Sequence, residues 1–343
     1  MLYNGGKMSK RHFFLTIIVA VYFLTSGVAL AAPPFYEGKT LRIIVGSLPG
    51  GGYDRVTRLL ATHLPRHIPG KPTIIVENVP GAGSMIAANN LYNIEKPNGL
   101  TIGTFVGQGL CFAQLLKVKG VRFDLRKYEW IGSAAREVCL LTVRSDLPYN
   151  SVSDLRKVKE PIPLGTTGPA TMTYQVPALL QGFAGLNFKL VSYPSSTESL
   201  LAVERKEVDG QANFYSSLKP YISRGIIRPL IRSGRTLAPG IENLPIDEDL
   251  TTDKRGKTLL ALRSAADVIA RPYVAPPNTP PEIMKILRIA FAQVEKDPAF
   301  LADAERSSQA TDYVPTDEIK KVLGFILDQP EDIVREFGRY VKF

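Results

Sequence analysis

Histidine and cysteine are scarce in this chain, with three of the one and two of the other among 343 residues. The scarcity narrows the chemistry. His12 falls in an N-terminal apolar segment, and His63 and His67 are separated by Pro65, which breaks the helix that would bring both rings to one face. No third ligand stands at a plausible spacing, so no metal site is expected. Cys111 and Cys139 lie in the apolar stretches GLCFAQLL and VCLLTV, which read as core; spacing alone leaves a disulfide between them open. A Gly-x-Ser-x-Gly elbow is absent, the loop at Gly50 lacks the Lys-Ser/Thr of a phosphate loop, and Pro80-Gly-Ala-Gly83 is too short for a dinucleotide fingerprint. Asp54, Asp146 and Asp209 have no acid–base partner in view. These absences argue against an enzyme and against a bound cofactor. Runs of Lys/Arg interleaved with aromatics are also missing, which excludes a nucleic-acid surface even at a formal net charge of +10.

The chain has a single long apolar run. Lys7, Lys10 and Arg11 precede it, it extends over residues 13–28, and Ala29-Leu30-Ala31 follows with the small-x-small pattern of a cleavage site. A bilayer span needs roughly 20 residues, so this reads as a cleaved signal peptide over residues 1–31 rather than an anchor, started at Met1 or Met8. The mature protein is expected outside the cytoplasm.

What is present is a strand, a glycine loop and a helix in succession. Ile43-Ile44-Val45 leads into Gly50-Gly51-Gly52, and Asp54 is placed to cap a helix carrying Val56, Leu59, Leu60 and Leu64 at helical spacing. Such a loop presents backbone N–H groups at the positive end of a helix, an anion site by construction, but a plain turn uses the same residues. The unit recurs. Thr73–Val76, Thr101–Phe105 and the segment from Tyr128 read as strands feeding glycine turns, and Ser84 as the cap of a small-residue helix. Beyond Arg144–Pro148 a second set begins, in which Gly165-Thr-Thr-Gly168 through Thr171 again joins strand to helix. This alternation is the mark of parallel α/β sheets. A proline-rich crossing, Ala275 to Pro281, then leads to helices expected at 282–296, 298–307, 316–327 and 331–342, which cover the first sheet. Two α/β lobes with a cleft between them follow: lobe 1 from residues 32–141 plus 271–343, lobe 2 from 142–270. The two loops, with the hydroxyls of Thr166, Thr167 and Thr171, would clamp a carboxylate across that cleft.

Taken in order, Ile44-Val-Gly-Ser-Leu-Pro-Gly-Gly-Gly-Tyr-Asp54, Val76-Glu-Asn-Val-Pro-Gly-Ala-Gly-Ser84, Asn98-Gly-Leu-Thr-Ile-Gly103, Gly165-Thr-Thr-Gly168, Glu207-Val-Asp-Gly210 and Ala275-Pro-Pro-Asn-Thr-Pro-Pro281 resemble the Bug family, substrate-binding proteins of tripartite tricarboxylate transporters. The resemblance covers nearly all of the mature chain. It implies a two-lobed periplasmic binding protein of type II, each lobe a Rossmann-like α/β sandwich, acting as a monomer. Such a protein holds a di- or tricarboxylate or related acid largely through backbone N–H groups and water rather than an arginine, and delivers it to the transporter's membrane subunits. The same fold also serves ligand-sensing modules of membrane sensor kinases. Carried over, Gly51, Gly52, Tyr53 and Asp54 form the first loop and Gly165, Thr166, Thr167, Gly168 and Thr171 the second, while Gly107, Gln108, Asp209 and Asn213 line the rest of the cleft. Pro169 departs from the pattern and removes a donor.

Overall fold

β-Branched residues open the first sheet. In β1 (Thr40–Val45), Leu41, Ile43, Ile44 and Val45 are all buried, as a strand covered on both faces requires. The computed structural model describes residue 1 and residues 33–343, so the expected signal peptide lies outside the described residues; Tyr36–Phe343 form one unit of the chain. After β1 come α1 (Gly52–His63), β2 (Thr73–Asn78), α2 (Met85–Asn93), β3 (Thr101–Thr104), α3 (Gly107–Leu115) and β4 (Glu129–Ser133). The second half supplies β5 (Cys139–Arg144), α4 (Val152–Lys157), β6 (Ile162–Thr166), α5 (Met172–Phe183), β7 (Phe188–Ser192), α6 (Ser196–Glu204), β8 (Gly210–Phe214), α7 (Tyr215–Ser223), β9 (Ile227–Ser233) and α8 (Lys254–Ala265). β10 (Pro272–Ala275) precedes α9 (Pro281–Val294), α10 (Pro298–Arg306), α11 (Thr316–Leu327) and α12 (Glu331–Tyr340).

Among the described residues the strands make two five-stranded sheets of one design, β2-β1-β3-β10-β4 and β7-β6-β8-β5-β9. In each, three strands run parallel at one end and the fourth in the row is antiparallel to both its neighbours. That fourth strand is the one the chain enters after leaving the other sheet. The two-lobed architecture expected from the alternating pattern is therefore present. The chain changes sheet between Ser133 and Cys139 and returns ahead of Pro272.

Three local details differ from expectation. Ser84 occupies the N-cap position of α2 with a left-handed backbone (φ 75) and makes no capping bond. Its hydroxyl donates to Gly46 O at 2.8 Å and accepts from Val106 N at 3.0 Å, tying together the exits of β1 and β3. α8 arises in a stretch to which the sequence pattern assigns no element, started by the Asp253 carboxylate on the N–H groups of Arg255 and Gly256. It sends Leu259, Leu260 and Leu262 into the first lobe's core. The last helix also does more than cover the first sheet. Phe337 of α12 packs on Phe112 of α3 (4.8 Å between ring centroids), and Tyr340 packs on Phe183 of α5 in the other lobe (4.7 Å). Truncating the fully buried Phe337 to Ala would cost about 3–5 kcal/mol and loosen both contacts.

Candidate functional site

The carboxyl ends of β1, β3, β6 and β8 converge on one cavity of about 420 Å³ between the sheets. This is where a doubly wound α/β architecture places its ligands, because helix N-termini collect there. Most of the helices on the wall begin without a side-chain cap, as α9, α11 and α12 also do elsewhere in the molecule. α1, α2, α3, α5 and α7 start at Gly51, Ser84, Val106, Thr171 and Phe214, all on the cavity wall, and none of these residues caps its helix with a side chain. By contrast α4, α8 and α10 are capped by Ser151, Asp253 and Asp297. On the wall only α6 is capped, by Ser195. Each uncapped start leaves backbone N–H groups without intrahelical partners and a positive end of dipole pointing at the space.

Side chains add to this. Asn213, buried to 4% exposure, accepts from Phe214 N through Oδ1 at 2.8 Å, which leaves Nδ2 on the wall with no partner among the described residues. Among the described residues, Arg271 is the only charged side chain on the wall. Its guanidinium lies over the rings of Tyr53 (4.8 Å) and Phe214 (5.1 Å), one from each lobe, and Nη2 donates to Glu137 Oε1 at 3.0 Å. Tyr53 is fixed in turn by its hydroxyl, which donates to Gln108 Oε1 at 3.1 Å, and burial pushes its phenol above the ordinary range. The lobes touch at the rim: a Cβ on Gly83 (φ +61) would stand 2.5 Å from the Cβ of Ala170, so glycine there permits the contact that encloses the cavity.

The family described as "Tripartite tricarboxylate transporter family receptor" matches residues 56–329. The chain belongs to that family. A UPF0065 protein of Bordetella pertussis is 23% identical over 327 residues, covering 93% of this chain and 96% of that one. Among solved structures, the periplasmic binding protein BugD superposes with a TM-score of 0.70 at 19% identity, over 90% of this chain and 99% of BugD. Rpa4515 of R. palustris, solved with adipate, gives 0.69 at 19% identity, over 88% of this chain and 97% of that one. The receptor is thus a solute-binding protein of a family of periplasmic binding proteins, not an enzyme.

The receptor's cavity wall includes Gly51, Gly52, Tyr53, Thr167, Thr171 and Asn213 from the expected set. Seven others stand off it. Asp54 is not the N-cap of α1 but lies in its first turn, 3% exposed, with its carboxylate accepting from Gly50 N (2.8 Å), Arg58 Nε (3.0 Å) and Asn78 Nδ2 (3.0 Å). Burial alone would raise its pKa, but these donors outweigh burial and hold it below the usual carboxylate value. Gly107 packs against Ile269 O, and Gln108 is wholly buried behind Tyr53. Gly165 faces Ser199, and Thr166 is wholly buried with its hydroxyl 3.0 Å from that of Thr173. Gly168 faces a separate cleft of about 850 Å³ beside the C-terminal residues Val341 and Phe343. Asp209 precedes β8 while Asn213 is near its end, about 13 Å on by strand rise, and it pairs with Arg144 at 3.1 Å.

Ser47 and Gly81 stand on the wall within the motifs quoted above but outside the expected set, while Ser195, Phe214, Ser217 and Arg271 carried no sequence signal for a site. The one available hint was an arginine inside the otherwise apolar stretch 268–274. The two cysteines are free and buried, and burial pushes the Cys111 thiol up to about 12. His63 and His67 bind Asp303 and Asp297, each at 2.8 Å, and so fasten the turn after α1 to α10. Among the described residues no group of three or more His, Cys, Asp and Glu is placed to hold a metal.

Proposed function

We propose that this receptor captures a small organic anion, a di- or tricarboxylate or related carboxylic acid, in the cavity and delivers it to the membrane subunits of a tripartite tricarboxylate transporter. In this reading the chain is exported to the periplasm with cleavage near Ala31. Lobe 1 (residues 32–141 plus 271–343) and lobe 2 (142–270) then close as a monomer around the ligand. The observation that carries it is the convergence of uncapped helix starts on one enclosed space, with the unpartnered Asn213 Nδ2 among them. Donors without acceptors, at positive helix ends, favour an anion with several acceptor oxygens. The adipate in the neighbouring Rpa4515 structure is of that class.

Thermal-shift measurements on the mature chain against di- and tricarboxylates and aromatic acids test the proposal. A ligand present at 100 times its Kd adds about 2.7 kcal/mol to stability, a shift of a few degrees in a chain this size. Well-folded protein stabilised by no organic anion would overturn it.

A further inference from the structure

We infer that Arg271 is the anchoring cation for the ligand's carboxylate, that it works beside the N-terminus of α1, and that Glu137 sets how strongly it does so. The inference rests on the carboxylate-binding reading above and adds to it an arginine anchor where the family resemblance implies largely backbone N–H groups and water.

Four observations place Arg271 in this role. It lies on the cavity wall at 3% exposure, so a carboxylate reaching it leaves water behind. Its guanidinium packs against the start of α1 so closely that a Cβ on Gly52 would stand 2.9 Å from Nη2 and 3.1 Å from Nη1. The missing side chain at Gly52 therefore brings an arginine up to an uncapped helix start, and the two positive features act on the same volume. Rings from both lobes, Tyr53 and Phe214, hold the guanidinium, so it is fixed before a ligand arrives. Finally, only Nη2 is committed to Glu137, which leaves in-plane donors of the fork for a planar partner.

Glu137 fits the second part. It is 4% exposed, and its Oε1 accepts from Arg271 Nη2 and from Ser216 Oγ of the second lobe (2.5 Å). It bounds a different cleft, beyond the cavity wall, beside Tyr215 and Lys219. Glu137 thus sits behind the arginine rather than in the ligand's space, orienting it while cancelling part of its charge.

The two roles separate by experiment. Titration calorimetry with succinate, adipate, citrate and benzoate would compare the wild-type chain with E137Q and with R271M/E137M. The double variant removes both charges, so no buried charge is left unpaired to unfold the protein. For each acid that the wild type binds, E137Q, folded by circular dichroism, should tighten binding by about threefold to tenfold, because the amide still accepts from Arg271 and no longer competes for its charge. The double variant, folded by circular dichroism, should weaken binding by about tenfold or more, the loss expected for a charge-assisted hydrogen bond. Unchanged affinity in the double variant, or unchanged or weaker affinity in E137Q, would overturn the inference while leaving the carboxylate reading intact. Failure of the wild type to bind any of the four acids would overturn both.

Discussion

The two strand-to-helix loops that face each other across the cavity are built on opposite plans. In the first, the polar side chain is turned away: Asp54 is buried behind the loop and holds Gly50, Arg58 and Asn78, leaving bare backbone at Gly51 and Gly52 towards the cavity. In the second, threonines bond to one another. Thr171 Oγ1 donates to Gly168 O (2.8 Å) and lies 2.6 Å from Thr173 Oγ1, which also accepts from Thr167 N at 2.9 Å. Gly168 N donates to Thr166 Oγ1, and Pro169 has no N–H. The first loop is thus an open donor surface and the second a self-satisfied knot, whose contribution narrows to the start of α5 and the threonine hydroxyls. On the carboxylate-binding reading proposed above, two loops of similar composition and position would divide the work, one providing affinity and the other shape.

The contrast can be broken most directly at Gly52. Gly52→Val places a branched side chain where the Arg271 guanidinium lies, and should lower ligand affinity by roughly 100-fold, the scale of a lost charge-assisted contact plus a blocked helix start, with the fold retained by circular dichroism. An equal loss from Thr171→Val would erase the asymmetry.

Asp54→Ala is the next largest. It orphans Gly50 N, Asn78 Nδ2 and Arg58 at once and should cost about 2 kcal/mol in urea denaturation, with a smaller loss of affinity as Gly51 and Gly52 shift. Its pH dependence follows from the direction of the shift. The folded carboxyl titrates below its ordinary 3.8, so its stabilisation is present above that pH and is lost as pH falls through the lower folded value. Wild type should lose stability below pH 3.8 more steeply than Asp54→Ala does, measured by melting temperature across the acid range.

Thr171→Val is the mildest. It removes one hydroxyl from a network whose other members remain partnered, and should cost about 1 kcal/mol of stability and only a few-fold in affinity. A pH-independent cost is expected, because the second loop holds no titratable group from Gly165 to Thr173.

Much of the fold was legible because it rests on local regularities. The β-branched run of β1, the glycine turn and the helical spacing of α1 each announce themselves within a few residues, and the same pattern repeats in the second half. α8 was not legible: its leucines, Leu259, Leu260 and Leu262, crowd together instead of following a clean stripe, because the helix is wedged between lobes. Gly52 and Thr171, in the loops that follow parallel strands, stand on the cavity wall. Gly165, inside β6 and against Ser199, and Asp209, ahead of β8 and paired with Arg144, stand off it, because position along the strand decides which residues reach its carboxyl end. Ser84 and Asp54 look like caps in sequence, yet Gly46 and Val106 claim the Ser84 hydroxyl, and Gly50, Arg58 and Asn78 claim the Asp54 carboxylate. Arg271 was beyond reach, since its meaning depends on Glu137, 134 residues away, and on rings from two lobes.

The central claim is that the enclosed space between the lobes is an anion site whose open donor surface is the start of α1. A crystal structure of the mature chain grown with the most stabilising acid of the panel tests it most directly. The account predicts a carboxylate against the backbone N–H groups of Gly51 and Gly52, within hydrogen-bonding reach of Arg271. An acid bound only elsewhere, or a carboxylate held by the second loop with the start of α1 left bare, would contradict it.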